Sequence, residues 1–282
     1  MTLDVTERRL KVHGLDFHVV EKGSGPAVLL LHGFPDTWYL WRHQIPDLVD
    51  SGFRVVVPDQ RGFGESVQPA AVEAYQLPNL VNDILGILDE LEIKRTHIVA
   101  HDWGASVGWL FAALYPDRVE RFVPLSVGHP SIFTEFSIQQ VEKSWYILLF
   151  QFEGVAEQLL MKNDWALLKE WSRHHNEYEK WIKDLSRPGA LTAALNWYRA
   201  NLAPGILPAL PLQMPNIQVP TLGIWSSGDA LLTEEQMIRS GEKVTGFWEY
   251  VRVEGASHWL QLDRPDIINK LLIEFLQNRL RA

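Results

Sequence analysis

Apolar residues in this chain come first in short unbroken runs, then in helical stripes. Ala27–Leu31 is apolar throughout, and Phe53-Arg54-Val55-Val56-Val57-Pro58 and His97-Ile98-Val99-Ala100 are nearly so. Runs of this length suit strands covered on both faces. Residues 17–21, 122–127 and 221–225 and Trp248–Val253 predict further strands, and Gly23-Ser24-Gly25-Pro26 a tight turn. Between these runs the period changes. Apolar residues at 80, 81, 84, 85, 88 and 91 predict a helix over 80–92. A second helix is expected over 106–114, ended by Tyr115-Pro116-Asp117. Strand and helix in alternation predict a mostly parallel sheet with right-handed crossovers. From 131 to 214 no buried strand is legible. Amphipathic stretches rich in Trp, Leu, Glu and Lys are broken there by Arg187-Pro188-Gly189 and by prolines 204, 208, 211 and 215. This predicts one α/β domain, 1–130 and 215–282, interrupted by a helical cap over 131–214 and closed by a helix over 266–280.

Composition narrows the function classes. With 46% hydrophobic and 22% charged residues, the chain is neither disordered nor fibrous. The 26 basic and 35 acidic residues give a net charge of −9, which argues against nucleic-acid or anionic-membrane partners. There is no cysteine, so disulfides, thiolate catalysis and cysteine-held metals are excluded. Residues 1–9 lack the apolar core of a secretion signal, and the apolar run at 145–150 is far short of the ~20 residues that cross a bilayer. A cytoplasmic protein is expected. Twelve tryptophans beside only seven tyrosines suit a large core or an apolar pocket.

The most specific segment is Ala100-His101-Asp102-Trp103-Gly104-Ala105, between a predicted strand and a predicted helix. Small residues two before and two after Asp102 match a nucleophile elbow, a turn too sharp for bulky neighbours. Capping of the helix is the bland alternative for Asp102. Further residues tell against it. Asp229 follows one predicted strand and His258 another, 29 residues later. Nucleophile, acid, histidine is the order of the α/β-hydrolase fold. His32-Gly33-Phe34-Pro35 follows the strand at 27–31, so the backbone N–H groups of Phe34 and Trp103 can form an oxyanion hole.

On these residues the sequence resembles the soluble epoxide hydrolase family of the α/β-hydrolase superfamily, over essentially the whole chain. His32-Gly33-Phe34-Pro35, Asp59-Gln60-Arg61-Gly62-Phe63-Gly64-Glu65-Ser66, the elbow at Asp102, Asp229 and His258 carry the likeness. It extends into the cap. Tyr146, upstream of Phe150-Gln151 and Gly154-Val155-Ala156-Glu157, sits as one of the family's two cap tyrosines does, and Asn196-Trp197-Tyr198-Arg199 resembles the segment with the other. Ala100 stands where glycine is common, and Phe152-Glu153 where Glu-Pro is common. The resemblance implies Asp102, Asp229, His258, Tyr146 and Tyr198 as catalytic residues, with Phe34, Trp103, Tyr146 and Tyr198 contacting substrate. It implies an epoxide and water as the reactants, no cofactor, no metal, and a monomer or homodimer.

The residue types fit this chemistry. A carboxylate attacking a saturated carbon makes an ester that water can cleave, whereas serine would make an inert ether. With a reference pKa of ~3.9, Asp102 needs no base to attack. His258, oriented by Asp229, then activates water. An epoxide oxygen needs a proton donor, the role expected of the tyrosines. A halide needs only N–H donors, so a haloalkane dehalogenase using the same Asp102 is the alternative. A ligand receptor on a hydrolase scaffold and a plain esterase are less favoured, the first by the complete Asp102–Asp229–His258 set and the second by Asp at the elbow. Blander readings hold elsewhere. His97 and His101 lie ~13 Å apart on a strand, too far to share a metal. His174-His175, Glu177 and Glu179 are expected at the solvated surface. Arg61-Gly62-Phe63-Gly64 lacks the helix start of a dinucleotide site. Trp38, Trp41 and Phe34 can be pocket lining or core.

Overall fold

The computed structural model describes residues 3–135, 137–173, 175–205 and 213–279. Its strands are β1 (Thr6–Val12), β2 (Leu15–Lys22), β3 (Ala27–Leu31), β4 (Arg54–Pro58), β5 (Thr96–His101), β6 (Val119–Leu125), β7 (Thr221–Ser226) and β8 (Trp248–Val253). They form one eight-stranded sheet in the order β1-β2-β4-β3-β5-β6-β7-β8. The pairs from β4 through β8 are parallel, while β1–β2 and β2–β4 are antiparallel. Every residue of β3, β5 and β7 is buried, which explains their unbroken apolar sequences. β1 is not among the strands that the hydrophobic pattern predicts. Residues 6–9 are all exposed at the sheet's edge, so no apolar run marks them. The hairpin to β2 turns at His13 and Gly14, with φ of 52° and 82°, the left-handed pair that a two-residue hairpin loop requires.

Helices α1 (Gln44–Asp50), α2 (Leu77–Glu90) and α3 (Trp103–Leu114) connect the first parallel strands. α2 starts before its first predicted residue because Pro78 is accommodated in its first turn, where no N–H is needed. The strand predicted over 122–127 stops at Leu125, since Ser126 turns to φ 67°. Between β6 and β7 the described residues form α4 (Pro130–Phe133), α5 (Ile138–Lys143), α6 (Trp145–Phe150), α7 (Val155–Ser172), α8 (Tyr178–Leu185) and α9 (Ala190–Asn201), with no strand. α7 is two helices joined at residues 162–165, where Asn163, Asp164 and Trp165 have φ of 53°, 55° and 59°. After β7 come α10 (Glu234–Arg239), α11 (Leu260–Asp263) and α12 (Pro265–Leu276). His174, Pro208, Pro211 and Leu280, named in the sequence reading, lie outside the described residues.

The core is packed around the sheet. Trp109 of α3 meets Phe122 of β6 edge-on at 4.9 Å between ring centroids. Trp41 is completely buried and belongs to this core, whereas Trp38 is partly buried against it. Glu179 is exposed, but Glu177 is not the surface residue its charge suggests. Its carboxylate is buried against Arg42, 2.5 Å away. That pair joins the inserted helices to the sheet domain and offsets part of the cost of burying each charge. Among the described residues no helix is long and apolar enough to cross a membrane.

Candidate active site

The elbow is built by close packing. Asp102 joins β5 to α3 with φ 53° and ψ −127°, a backbone shape that costs energy for any residue with a side chain. Two glycines allow it. A Cβ on Gly104 would lie 2.4 Å from the Leu31 carbonyl oxygen, and one on Gly33 would lie 2.1 Å from Asp102 Oδ1. The ends of β3 and β5 can therefore approach until the Phe34 N–H donates to Asp102 Oδ1 at 2.8 Å. The Trp103 N–H also bonds this carboxylate.

His258 and Asp229 arrive on loops after β8 and β7. His258 Nε2 stands 3.5 Å from Asp102 Oδ2, and Nδ1 is 2.9 Å from Asp229 Oδ2. The other Asp229 oxygen accepts the N–H groups of Leu231 at 2.8 Å and Leu232 at 2.9 Å, which fixes the carboxylate plane. The His258 carbonyl accepts from Ser126 Oγ at 3.0 Å and from His101 Nε2 at 2.9 Å. Burial alone would raise the Asp102 pKa. The imidazole of His258 and the Trp103 N–H outweigh it and hold the carboxyl below its usual range. Burial alone would lower the His258 pKa, but the Asp229 and Asp102 carboxylates raise it to about 10.

Tyr146 on α6 and Tyr198 on α9 are both buried, their ring centroids 6.1 Å apart and their planes at 80°. The Tyr198 ring also meets Trp103 edge-on at 5.1 Å. Burial, then the Asp102 charge, pushes both phenols well above their usual pKa, so both are neutral donors at physiological pH. Asp102, Trp103, Tyr146 and Tyr198 line one cavity of about 460 Å³. Its remaining walls are mainly apolar, with Leu110, Val127, Phe133, Ile147 and Leu232 among them, and Gln76, Asn201 and Gln213 add neutral polar groups. Among the described lining residues, Asp102 is the one formal charge.

The structure thus brings together Asp102, Asp229, His258, Trp103, Tyr146, Tyr198 and the backbone of Phe34. The Phe34 ring, expected to contact substrate, packs on Tyr198, which lines the cavity, and on Phe150 and Trp171. His97 and His101 are both buried on β5, and only His101 reaches the site. Sequence reasoning missed His101, Ser126 and Asp36. The His101 ring lies 4.6 Å from that of His258, while Asp36 is a buried carboxylate bonded by two indoles. Adjacency to Asp102 was a signal for His101. Nothing local marks the other two.

An ionised, aimed carboxylate with two N–H donors, an adjacent histidine–carboxylate pair and two neutral phenols can alkylate itself and then be hydrolysed. The pattern of the alpha/beta hydrolase fold family matches residues 26–265. Epoxide hydrolase 4 of Homo sapiens is 36% identical, the alignment covering 97% of this chain and 79% of that protein. The AB hydrolase superfamily protein YfhM of Bacillus subtilis strain 168 is 34% identical over 96% of this chain and 97% of its own. A solved structure described as a novel epoxide hydrolase of the alpha/beta hydrolases superfamily, from metagenomes of hot environments, superposes with a TM-score of 0.87. It is 31% identical and covers 98% of this chain and 99% of its own. With its elbow and full-length likeness, the chain belongs to the epoxide hydrolase family of the α/β-hydrolase fold.

Proposed function

We propose that the protein hydrolyses epoxides to vicinal diols in two steps, with residues 131–214 acting as a cap that supplies the acid. The observation that carries this reading is the pair of neutral phenols, Tyr146 and Tyr198, lining the same cavity as ionised Asp102. An Asp102 oxygen attacks a ring carbon, the C–O bond breaks, and a tyrosine gives its proton to the departing oxygen. The product is an alkyl ester on Asp102. Esterification also removes one of the two carboxylates that raise the His258 pKa, so the imidazolium releases its proton to solvent more readily and a larger neutral fraction of His258 is present once a base is needed. Neutral His258, oriented by Asp229, then takes a proton from water as the water attacks the Asp102 carboxyl carbon. The N–H groups of Phe34 and Trp103 stabilise the oxyanion. As the ester C–O bond breaks, the His258 imidazolium gives the proton it took to the departing diol oxygen, and the proton left on the re-formed Asp102 carboxyl returns to the phenolate.

The test is a single-turnover measurement on His258→Gln. With styrene oxide, this variant should accumulate about one equivalent of covalent adduct, located on Asp102 by peptide mass spectrometry, and release almost no diol. A matched bromoalkane should give no adduct. Adduct and bromide release with the bromoalkane alone would replace this reading by a dehalogenase. Steady diol release by the variant at the wild-type rate would overturn the role of His258.

A further inference from the structure

Asp36 is a carboxylate only 3% exposed, and the chemistry above leaves it idle. It lies in the loop after β3, two residues past Phe34, and its own N–H closes that loop onto the Gly33 carbonyl at 2.9 Å. Its two oxygens are divided between two tryptophans. The Trp181 indole N–H, from α8 in the cap, donates to Oδ1 at 2.8 Å. The Trp259 indole N–H, from the residue after His258, donates to Oδ2 at 2.9 Å. Both indoles are buried, and their ring centroids lie 4.8 Å apart. The Trp259 ring in turn stands edge-on to the His258 imidazole at 5.1 Å.

Two indole donors at one point require two acceptor lone pairs side by side, because indole N–H groups cannot accept. A carboxylate supplies these. An amide would turn an NH₂ group towards one of the indoles. A cation would satisfy a buried carboxylate more cheaply, yet among the described residues no Lys, Arg or His pairs with this one. Burial raises its pKa to about 7 against the pull of the two N–H bonds. Its geometry is therefore set for the two tryptophans rather than for charge pairing.

We propose that Asp36 is a positioning residue whose carboxylate ties the seating of the cap, through Trp181, to the placement of His258, through Trp259. This role rests on the two-step reaction proposed above, in which His258 is needed for hydrolysis and not for alkylation. When the cap helix is seated, the segment next to the histidine is held by the same carboxylate. When the cap lifts, that hold is halved.

The test uses Asp36→Asn and Trp181→Phe, alone and combined, in the full chain. Amide hydrogen exchange reads the tie without any substrate. In Asp36→Asn, the cap helix 178–185 and the loop 255–259 should both exchange at least tenfold faster, with β3 and β5 unchanged. Single-turnover kinetics with styrene oxide reads the consequence. Hydrolysis of the alkyl-enzyme should slow tenfold or more, while alkylation stays within threefold of wild type. A merely structural defect would lower both steps together. Trp181→Phe should slow hydrolysis severalfold in the wild-type background and have no further effect in the Asp36→Asn background. Unchanged exchange in either segment, or an undiminished Trp181→Phe effect beside Asp36→Asn, overturns the proposal. If Asp36→Asn fails to fold, Trp181→Phe and Trp259→Phe each remove one arm, and additive effects on hydrolysis overturn it equally. Absence of any alkyl-enzyme in the wild type would overturn the epoxide reading instead, and the exchange data would still decide the tie.

Discussion

His258 shows how one residue can serve two chemical states. Its imidazole is buried, which by itself favours the neutral form, yet Asp229 at 2.9 Å and Asp102 at 3.5 Å lift its pKa to about 10. A pKa that is higher folded than unfolded is a stability term. Here it is fully present below about pH 6.5, the unfolded value, and is lost as pH rises through about 10. Asp102→Asn removes one of the two carboxylates responsible. The Tm advantage of wild type over this variant should therefore be largest near pH 6 and shrink steadily towards pH 10, at up to ~1.4 kcal/mol per pKa unit removed. Thermal melts of both proteins across that range check it, and a difference that stays flat with pH would show that Asp102 does not set the charge of His258.

The tyrosines depend on the helices that carry them, and those helices depend on one buried ion pair. Arg199, next to Tyr198 on α9, grips Glu157 of α7 with two bonds, Nη1 to Oε1 at 2.9 Å and Nη2 to Oε2 at 3.0 Å. Its Nε donates to the carbonyl of Phe150, at the end of the α6 helix that holds Tyr146, at 3.0 Å. Glu157 also accepts the Gly154 N–H at 2.8 Å, closing the start of α7. The Arg199 side chain is 6% exposed and that of Glu157 10%, so water cannot replace either partner. Arg199→Met would leave Glu157 buried without its cation and should cost ~3–5 kcal/mol in urea unfolding. Arg199→Met combined with Glu157→Met should cost less than the single change, because no buried charge remains. A single-variant loss under ~1 kcal/mol would mean that water reaches the pair.

Much of this arrangement is legible in sequence where one element suffices to reveal it. Ala27–Leu31 and Trp248–Val253 fall on strands of those same bounds, and the small residues around Asp102 fall on a positive-φ turn. What escaped has nonlocal causes. β1 forms because β2 offers it hydrogen bonds, not because its own residues need burial. Asp36 is buried by indoles 145 and 223 positions further along the chain. Glu177 looks like a surface charge until Arg42, 135 positions earlier, is brought against it.

Over the whole molecule, charge bears on which substrates reach Asp102. The chain carries a net charge of −9, so an anionic substrate approaches against the average field. The cavity then makes the same choice at short range. Its described walls hold one formal charge, that of Asp102; the His258 imidazolium stands 3.5 Å behind it, paired with the Asp229 carboxylate, so the site as a whole keeps one negative charge. A substrate carboxylate held ~6 Å from Asp102 at an effective dielectric of ~20 would meet ~3 kcal/mol of repulsion. That corresponds to about a hundredfold in kcat/KM, since ~1.4 kcal/mol is tenfold. The expected outcome is that styrene oxide is turned over about two orders of magnitude more efficiently than its para-carboxylate analogue. The gap should narrow only modestly at 0.5 M salt, because the larger part arises inside a cavity that salt does not screen. A methyl ester of the same acid, equal in shape but uncharged, should recover most of the loss. Equal turnover of the acid and its ester would mean that a cation reaches the bound substrate, and the apolar, neutral epoxide would no longer be the preferred class.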